Sequence, residues 1–148
     1  MTMHKRNGGK NMTNEQLIAE AKKAREHAYT PYSHFQVGAA LLTKDGRLYH
    51  GCNIENAAYG PTNCAERTAF FKAVYDGERE FEKIAIVGGP QGEEADVMCA
   101  PCGVCRQVMM EFCNPKTFQI VLADGKGKWI ERTLEEMLPF GFGPDNLK

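Results

Sequence analysis

The sequence predicts an α/β fold built on a mixed β-sheet with helices on its faces. Three observations carry this expectation. Two apolar runs, Phe35 to Thr43 and Leu48 to Ile54, flank the turn Lys44-Asp45-Gly46-Arg47, the pattern of a hairpin. Further apolar runs, Lys83 to Val87 and Phe118 to Ala123, are separated by stretches with helical spacing. A hairpin followed by alternating helices and strands implies a sheet with helices packed on it.

The elements follow in order. Residues 1–12, MTMHKRNGGKNM, are polar with a Gly-Gly pair and read as a disordered tail ahead of a single domain over 13–148. Thr13 and Asn14 are N-cap candidates, and Gln16 stands at capping-box spacing from Thr13. Leu17, Ile18, Ala21, Ala24, Arg25 and Ala28 keep helical spacing to about Tyr29, where Thr30-Pro31 stops the helix. The run from Phe35 alternates poorly but is strongly apolar, as a buried strand is. Asn56 to Asn63 contains Gly60-Pro61 and reads as a loop. Cys64 to Tyr75 is helical and ends at Asp76-Gly77. The strand Lys83 to Val87 closes at Gly88-Gly89-Pro90, and Gln91 to Ala100 is an acidic loop. Pro101 leads into a helix from about Gly103 to Phe112. Phe118 to Ala123 and Trp129 to Glu131 are strands around a turn at Asp124 to Lys128. Thr133 to Leu138 is a last helix, with Thr133 and Glu136 at capping-box spacing.

Composition bounds the function. The 148 residues suffice for one domain with its own core, and 43% apolar with 25% charged residues is ordinary for a globular chain. Eighteen Lys and Arg face nineteen Asp and Glu, a net charge of -1. Phosphate-binding surfaces usually carry a basic surplus, so a nucleic-acid partner is not expected and a small substrate is. No run approaches the roughly 20 apolar residues that span a bilayer, so no membrane partner is expected. Met1 to Asn11 carries Lys5, Arg6 and Lys10 but lacks the apolar run of a signal peptide. A cytoplasmic setting is therefore expected, with the six cysteines as metal ligands or buried thiols rather than disulfides.

The informative constellation is Cys64-Ala65-Glu66 followed at a distance by Pro101-Cys102-Gly103-Val104-Cys105. Each piece sits where a loop becomes a helix. Cys102 and Cys105 are three apart and share one helix face. Helix N-termini have unpaired N–H groups and a positive partial charge, which favour thiolates. Two such termini facing each other can present three thiolates to one zinc ion, leaving its fourth tetrahedral position for water. Glu66, two residues after Cys64, can reach that position without being a ligand. Three thiolates around zinc leave a net charge of about -1, which works against acidifying a bound water. Arg67 and Arg106 are the candidates to offset it by hydrogen-bonding the sulfurs.

The pair C-A-E and P-C-x-x-C resembles the cytidine deaminase family, in its short three-cysteine type. Pro31 to Phe35, Val37 to Leu41, Gly51 to Ala57, Cys102 to Gln107, Leu138-Pro139 and Phe142-Gly143-Pro144 resemble it too. The similarity covers roughly Glu15 to the C-terminus. It implies a three-layer α/β/α fold with a five-stranded mixed sheet, one Zn²⁺ per chain, and a homotetramer with shared active sites. It implies hydrolytic deamination of cytidine and deoxycytidine in pyrimidine salvage, with Glu66 as proton carrier, a role general to zinc deaminases. It further implies that Asn53 and Glu55 bind the ribose hydroxyls, that Phe35 packs on the pyrimidine, and that Ala65 belongs to the substrate site. Tyr59 and Phe142 would reach a neighbouring subunit's site, although a register shift of two makes Phe140 the contact instead.

Blander readings exist. Cys99-x-x-Cys102-x-x-Cys105 with Cys64 reads also as a closed structural zinc site, but that gives Glu66 no task. A Cys102–Cys105 redox pair leaves Cys64-Ala-Glu66 unexplained. Cys52, Cys99 and Cys113 read as buried thiols, and His4, His27, His34 and His50 show no metal spacing. The rival enzyme reading is deamination of a cytosine nucleoside antibiotic such as blasticidin S. Asn53-Ile-Glu55-Asn56 favours a plain ribose, whose hydroxyls satisfy those groups.

Overall fold

A computed structural model of the chain describes residues 12–124 and 126–148. Of the tail expected to be disordered over 1–12, residues 1–11 lie outside the described residues, while Met12 is partly buried against the core cluster that contains Leu17 and Ile18. In chain order the elements are α1 (Asn14–Arg25), β1 (Phe35–Thr43), β2 (Leu48–Cys52), α2 (Ala65–Tyr75), β3 (Phe81–Pro90), α3 (Gly103–Phe112), β4 (Gln119–Ala123), β5 (Trp129–Thr133) and α4 (Leu134–Met137). A 3₁₀ turn at Pro144–Leu147, which the sequence reading did not include, follows them.

The five strands form one sheet in the order β2-β1-β3-β4-β5. Only β3 and β4 pair in parallel, and α3 lies in the connection between them; the other pairs are antiparallel. The sheet is therefore mixed, as expected. Both faces of β1 are covered, which explains its poor alternation. Ala39 and Leu41 face the larger core, with Ala69, Phe70 and Met109 from α2 and α3. Ala40 and Leu42 face the other side, packing with Leu17, Ile18 and Ala21 of α1. Three layers result. Phe70 anchors the larger core, fully buried, with its ring 5.0 Å from Phe81 and 5.9 Å from Phe118. Burying such a ring stabilises the fold by roughly 1.5–3 kcal/mol.

Several boundaries differ from the sequence reading. Helix α1 stops at Arg25 rather than near Tyr29, because the Tyr29 N–H donates to Asn53 O at 3.0 Å and Tyr29 forms an isolated bridge to Ile54 instead. Strand β2 stops at Cys52 rather than Ile54. Asn53 turns its carbonyl to Tyr29, and its side-chain Oδ1 accepts from Val37 N at 2.9 Å in place of the ladder bond. Strand β3 runs from Phe81 to Pro90, through the glycines read as its stop. A β-carbon on Gly89 would lie 2.6 Å from the Glu94 carbonyl, so glycine serves close approach there, not a turn. Strand β5 extends two residues further, to Thr133, which caps α4 through the expected box with Glu136.

Candidate active site

Two helix starts build the site. Cys64 is the N-cap residue of α2 and Cys102 that of α3, both in extended conformation and neither using its sulfur as a cap. The sulfurs are thus free to meet. Cys64 Sγ lies 3.8 Å from Cys102 Sγ, and Cys102 Sγ lies 3.6 Å from Cys105 Sγ. All three are within 4.8 Å of one another. Zinc–sulfur bonds of roughly 2.3 Å at tetrahedral angles put sulfurs about 3.8 Å apart, so the three sulfurs fit a zinc ion. They are too far apart for disulfides, and all six cysteines are free. Cys99 lies outside the cluster; its sulfur and the Phe35 ring both lie over Gly88.

Backbone contacts fix the two helix starts. Thr68 Oγ1 donates to Cys52 O at 2.9 Å and to Cys64 O at 3.1 Å, and accepts from Asn63 Nδ2 at 3.1 Å. Thr68 and Asn63 were not among the sequence candidates; a hydroxyl one turn into α2 was their only signal. Gly51 lets the Ala65 peptide rest directly on β2, since a β-carbon there would meet Ala65 O and lie 2.6 Å from Ala69 N. Ala65 itself is fully buried.

Glu66 is 4% exposed, beside the Cys105 thiol. Burial lifts its carboxyl to about 7, with the Cys64 sulfur adding to the rise. The Cys64 thiol is drawn down to about 5 by hydrogen bonds from Cys105 and Arg67, and Cys105 is correspondingly raised. Cys64 is thus more readily made thiolate than Cys105.

The two arginines part company. Arg67 Nη2 donates to Cys64 Sγ at 3.4 Å. Arg106 makes its hydrogen bonds to backbone, from Nε to Pro101 O at 2.8 Å and from Nη1 to Met137 O at 2.6 Å. It ties the start of α3 to the end of α4 rather than to a sulfur.

Asn53 and Glu55 sit at the same sheet end as Phe35. Asn53 Nδ2 donates to Phe35 O at 2.9 Å while Oδ1 accepts from Val37 N, leaving one amide hydrogen and one lone pair. Glu55 Oε1 accepts from Tyr32 N at 3.0 Å and Ser33 N at 3.1 Å; the Ser33 side chain first, and then these two N–H groups, hold its carboxyl below the usual range. Tyr59 and Phe142 stand out from the surface, 95% and 56% exposed, as does Phe140. Gln107 Nε2 donates to Phe142 O at 2.9 Å and so fixes that backbone. A groove of about 490 Å³ between α1, β2 and α2 is lined by none of these residues.

The family model for the cytidine and deoxycytidylate deaminase zinc-binding region matches residues 11–121. A cytidine deaminase of Sporosarcina psychrophila is 56% identical over 133 residues, covering 90% of this chain and 93% of that protein. One of Halalkalibacterium halodurans is 49% identical over 136 residues, 92% and 98% of the two chains. The crystal structure of cytidine deaminase from Burkholderia pseudomallei superposes with a TM-score of 0.81 at 51% identity, covering 88% of this chain and all of that one. The chain belongs to the cytidine and deoxycytidylate deaminase family of zinc-binding enzymes.

Proposed function

We propose that this protein catalyses the hydrolytic deamination of cytidine and deoxycytidine to uridine and deoxyuridine with release of ammonia. The observation that carries the reading is three sulfurs at the spacing of a tetrahedron edge beside a buried glutamate. Cys64, Cys102 and Cys105 would hold a zinc ion, which would supply Lewis-acid activation of water near neutral pH.

Glu66 carries the protons. Its carboxylate accepts one from the attacking water and delivers it to N3 of the base, which makes C4 electrophilic. The water oxygen bonds to C4; Glu66 then takes the second proton from that oxygen and hands it to the amino group, so that the C4–N bond breaks, ammonia leaves and the C4 carbonyl forms. Proton transfer of this kind is worth about 10²–10⁴-fold. The Arg67 guanidinium offsets the negative charge of the sulfurs. Phe35 packs on the pyrimidine face, with Ala65 at the base edge. The remaining hydrogen-bonding capacity of Asn53 and Glu55 serves the ribose hydroxyls.

The working form is a homotetramer in the cytoplasm, with Tyr59 and Phe142 reaching a neighbour's site. Their exposure supports it, as does the exposure of Cys102, which leaves the cluster without a complete wall within one chain. Among the described residues no helix is long and apolar enough to cross a membrane.

Ammonia release from cytidine, deoxycytidine, cytosine and blasticidin S tests the reading. Turnover of the two pyrimidine nucleosides well above the other two is the expected result. Preference for blasticidin S would replace the substrate, and no turnover with full zinc loading would refute the activity.

A further inference from the structure

Arg25, the last residue of α1, is 5% exposed. Its guanidinium donates to three backbone carbonyls. Nε reaches Gln36 O at 3.1 Å, Nη1 reaches Glu93 O at 2.9 Å and Nη2 reaches Pro90 O at 2.7 Å. Among the described residues, no ion pair joins it to a carboxylate. A buried cation without a counter-charge is costly unless its donors are well used, and a hydrophobic side chain would fill the space at less cost. The three acceptors explain its place. They belong to three segments: the Phe35 end of β1, the last residue of β3, and the loop from 91 to 102 that carries Cys99 and leads to Cys102.

These segments are in close register. Phe35 pairs with Pro90 and Gln36 with Gly89. The Cys99 sulfur and the Phe35 ring lie over Gly88, and the Glu94 backbone lies over Gly89, where Arg25 Nη2 is also close. Gln36 adjoins Phe35, Pro90 pairs with Phe35, and Glu93 lies in the loop that continues to Cys99. Only a planar fork with donors in three directions joins all three; a lysine ammonium carries its donors on one atom.

We propose that Arg25 is a positioning residue for substrate binding: it locks the Phe35 end of β1 against the loop that runs through Cys99 to Cys102. Nucleoside affinity then depends on a side chain that does not touch the nucleoside. The inference rests on the assignment of Phe35 to the base. Because the Arg25 guanidinium bonds to backbone carbonyls and not to the three ligand sulfurs or Glu66, its loss acts on KM more than on kcat.

The test uses the full-length zinc-loaded chain with Arg25→Ala, Arg25→Lys and Gly89→Ala. Gly89→Ala pushes the Glu94 backbone away while keeping the charge. All three should hold one zinc per chain and keep kcat within about twofold, while KM for cytidine rises about tenfold, as misplacement of a contact surface gives. Millimolar ethylguanidinium should lower KM for Arg25→Ala and leave the unmodified protein unchanged. Folded variants with unchanged KM, or with kcat and zinc lost together, would overturn the proposal. If Arg25→Ala does not fold, the other two decide it. Hydrogen exchange of the 91–102 amides separates this inference from the functional reading. Faster exchange in Arg25→Lys is expected, and unchanged exchange overturns the proposal even if cytidine proves not to be the substrate.

Discussion

Replacing Gly51 by alanine should detach the first turn of α2 from the metal site. The added β-carbon would clash with Ala65 O, and it would lie 2.6 Å from Ala69 N and 2.9 Å from the Ala69 side chain. Restoring an ordinary contact of 3.4 Å to Ala69 N alone moves α2 back by about 0.8 Å. The Ala65 carbonyl asks for more. Cys64 and Glu66 ride on that turn. Taken up along the line between the sulfurs, the retreat stretches the 3.8 Å Cys64–Cys102 spacing to about 4.6 Å. Two zinc–sulfur bonds of roughly 2.3 Å span that distance only in a straight line, so tetrahedral binding is lost or strained. Overpacking of this kind costs about 1–3 kcal/mol of stability, and a misplaced catalytic group about 10²-fold in rate. The assay is competition for zinc with a chromophoric chelator, alongside turnover and thermal unfolding. Gly38→Ala is the matched control: its β-carbon would lie 2.8 Å from the Arg25 Cα, away from the sulfurs. It should lose stability but keep its zinc affinity. Unchanged zinc affinity and turnover in Gly51→Ala would refute the reasoning.

Other expectations follow from single contacts. Cys99→Ser should keep one zinc per chain by metal analysis, because its sulfur lies outside the cluster; loss of the metal would favour a four-cysteine site. Asn53→Ala strips the Val37 N–H of its acceptor and should cost about 1–3 kcal/mol in urea unfolding. It should also raise KM for cytidine more than for cytosine, and equal rises would remove the ribose assignment. Tyr49 is buried with its hydroxyl donating to Asp76 at 3.1 Å, and burial pushes it up to about 12. The unfolded chain releases that proton near pH 10, so the folded state's advantage is full below pH 10 and drains by about 3 kcal/mol toward pH 12. In Tyr49→Phe that alkaline loss should disappear, and parallel stability curves over this range would contradict it.

Local chemistry was legible wherever one residue decides it. Thr13 with Gln16 and Thr133 with Glu136 form the capping boxes their spacing announces. Cys64 and Cys102 begin their helices as the breaks around Asn63 and Pro101 suggest. The misreadings come from contacts distant in sequence. Tyr29 leaves a helix its neighbours could continue because Asn53 offers a carbonyl across the fold. Gly88 and Gly89 look like a stop, yet β1 pairs with both and needs them small for the loop above. Arg106 was paired with the sulfurs on charge alone. Its guanidinium instead donates to Pro101 O and to Met137 O, the latter thirty-one residues on, at 2.6 Å. Arg25 read as one more position on a helix face, and its three carbonyl partners emerge only from the folded chain.

The central claim is that a three-cysteine zinc site and one buried glutamate perform the reaction. The most direct test is zinc content and cytidine turnover of Glu66→Gln, measured on the same preparation beside the unmodified chain. The account predicts one zinc per chain in both, with turnover reduced by at least about 10²–10⁴-fold in the variant. A Glu66→Gln protein that holds its zinc and deaminates cytidine at the unmodified rate would contradict it.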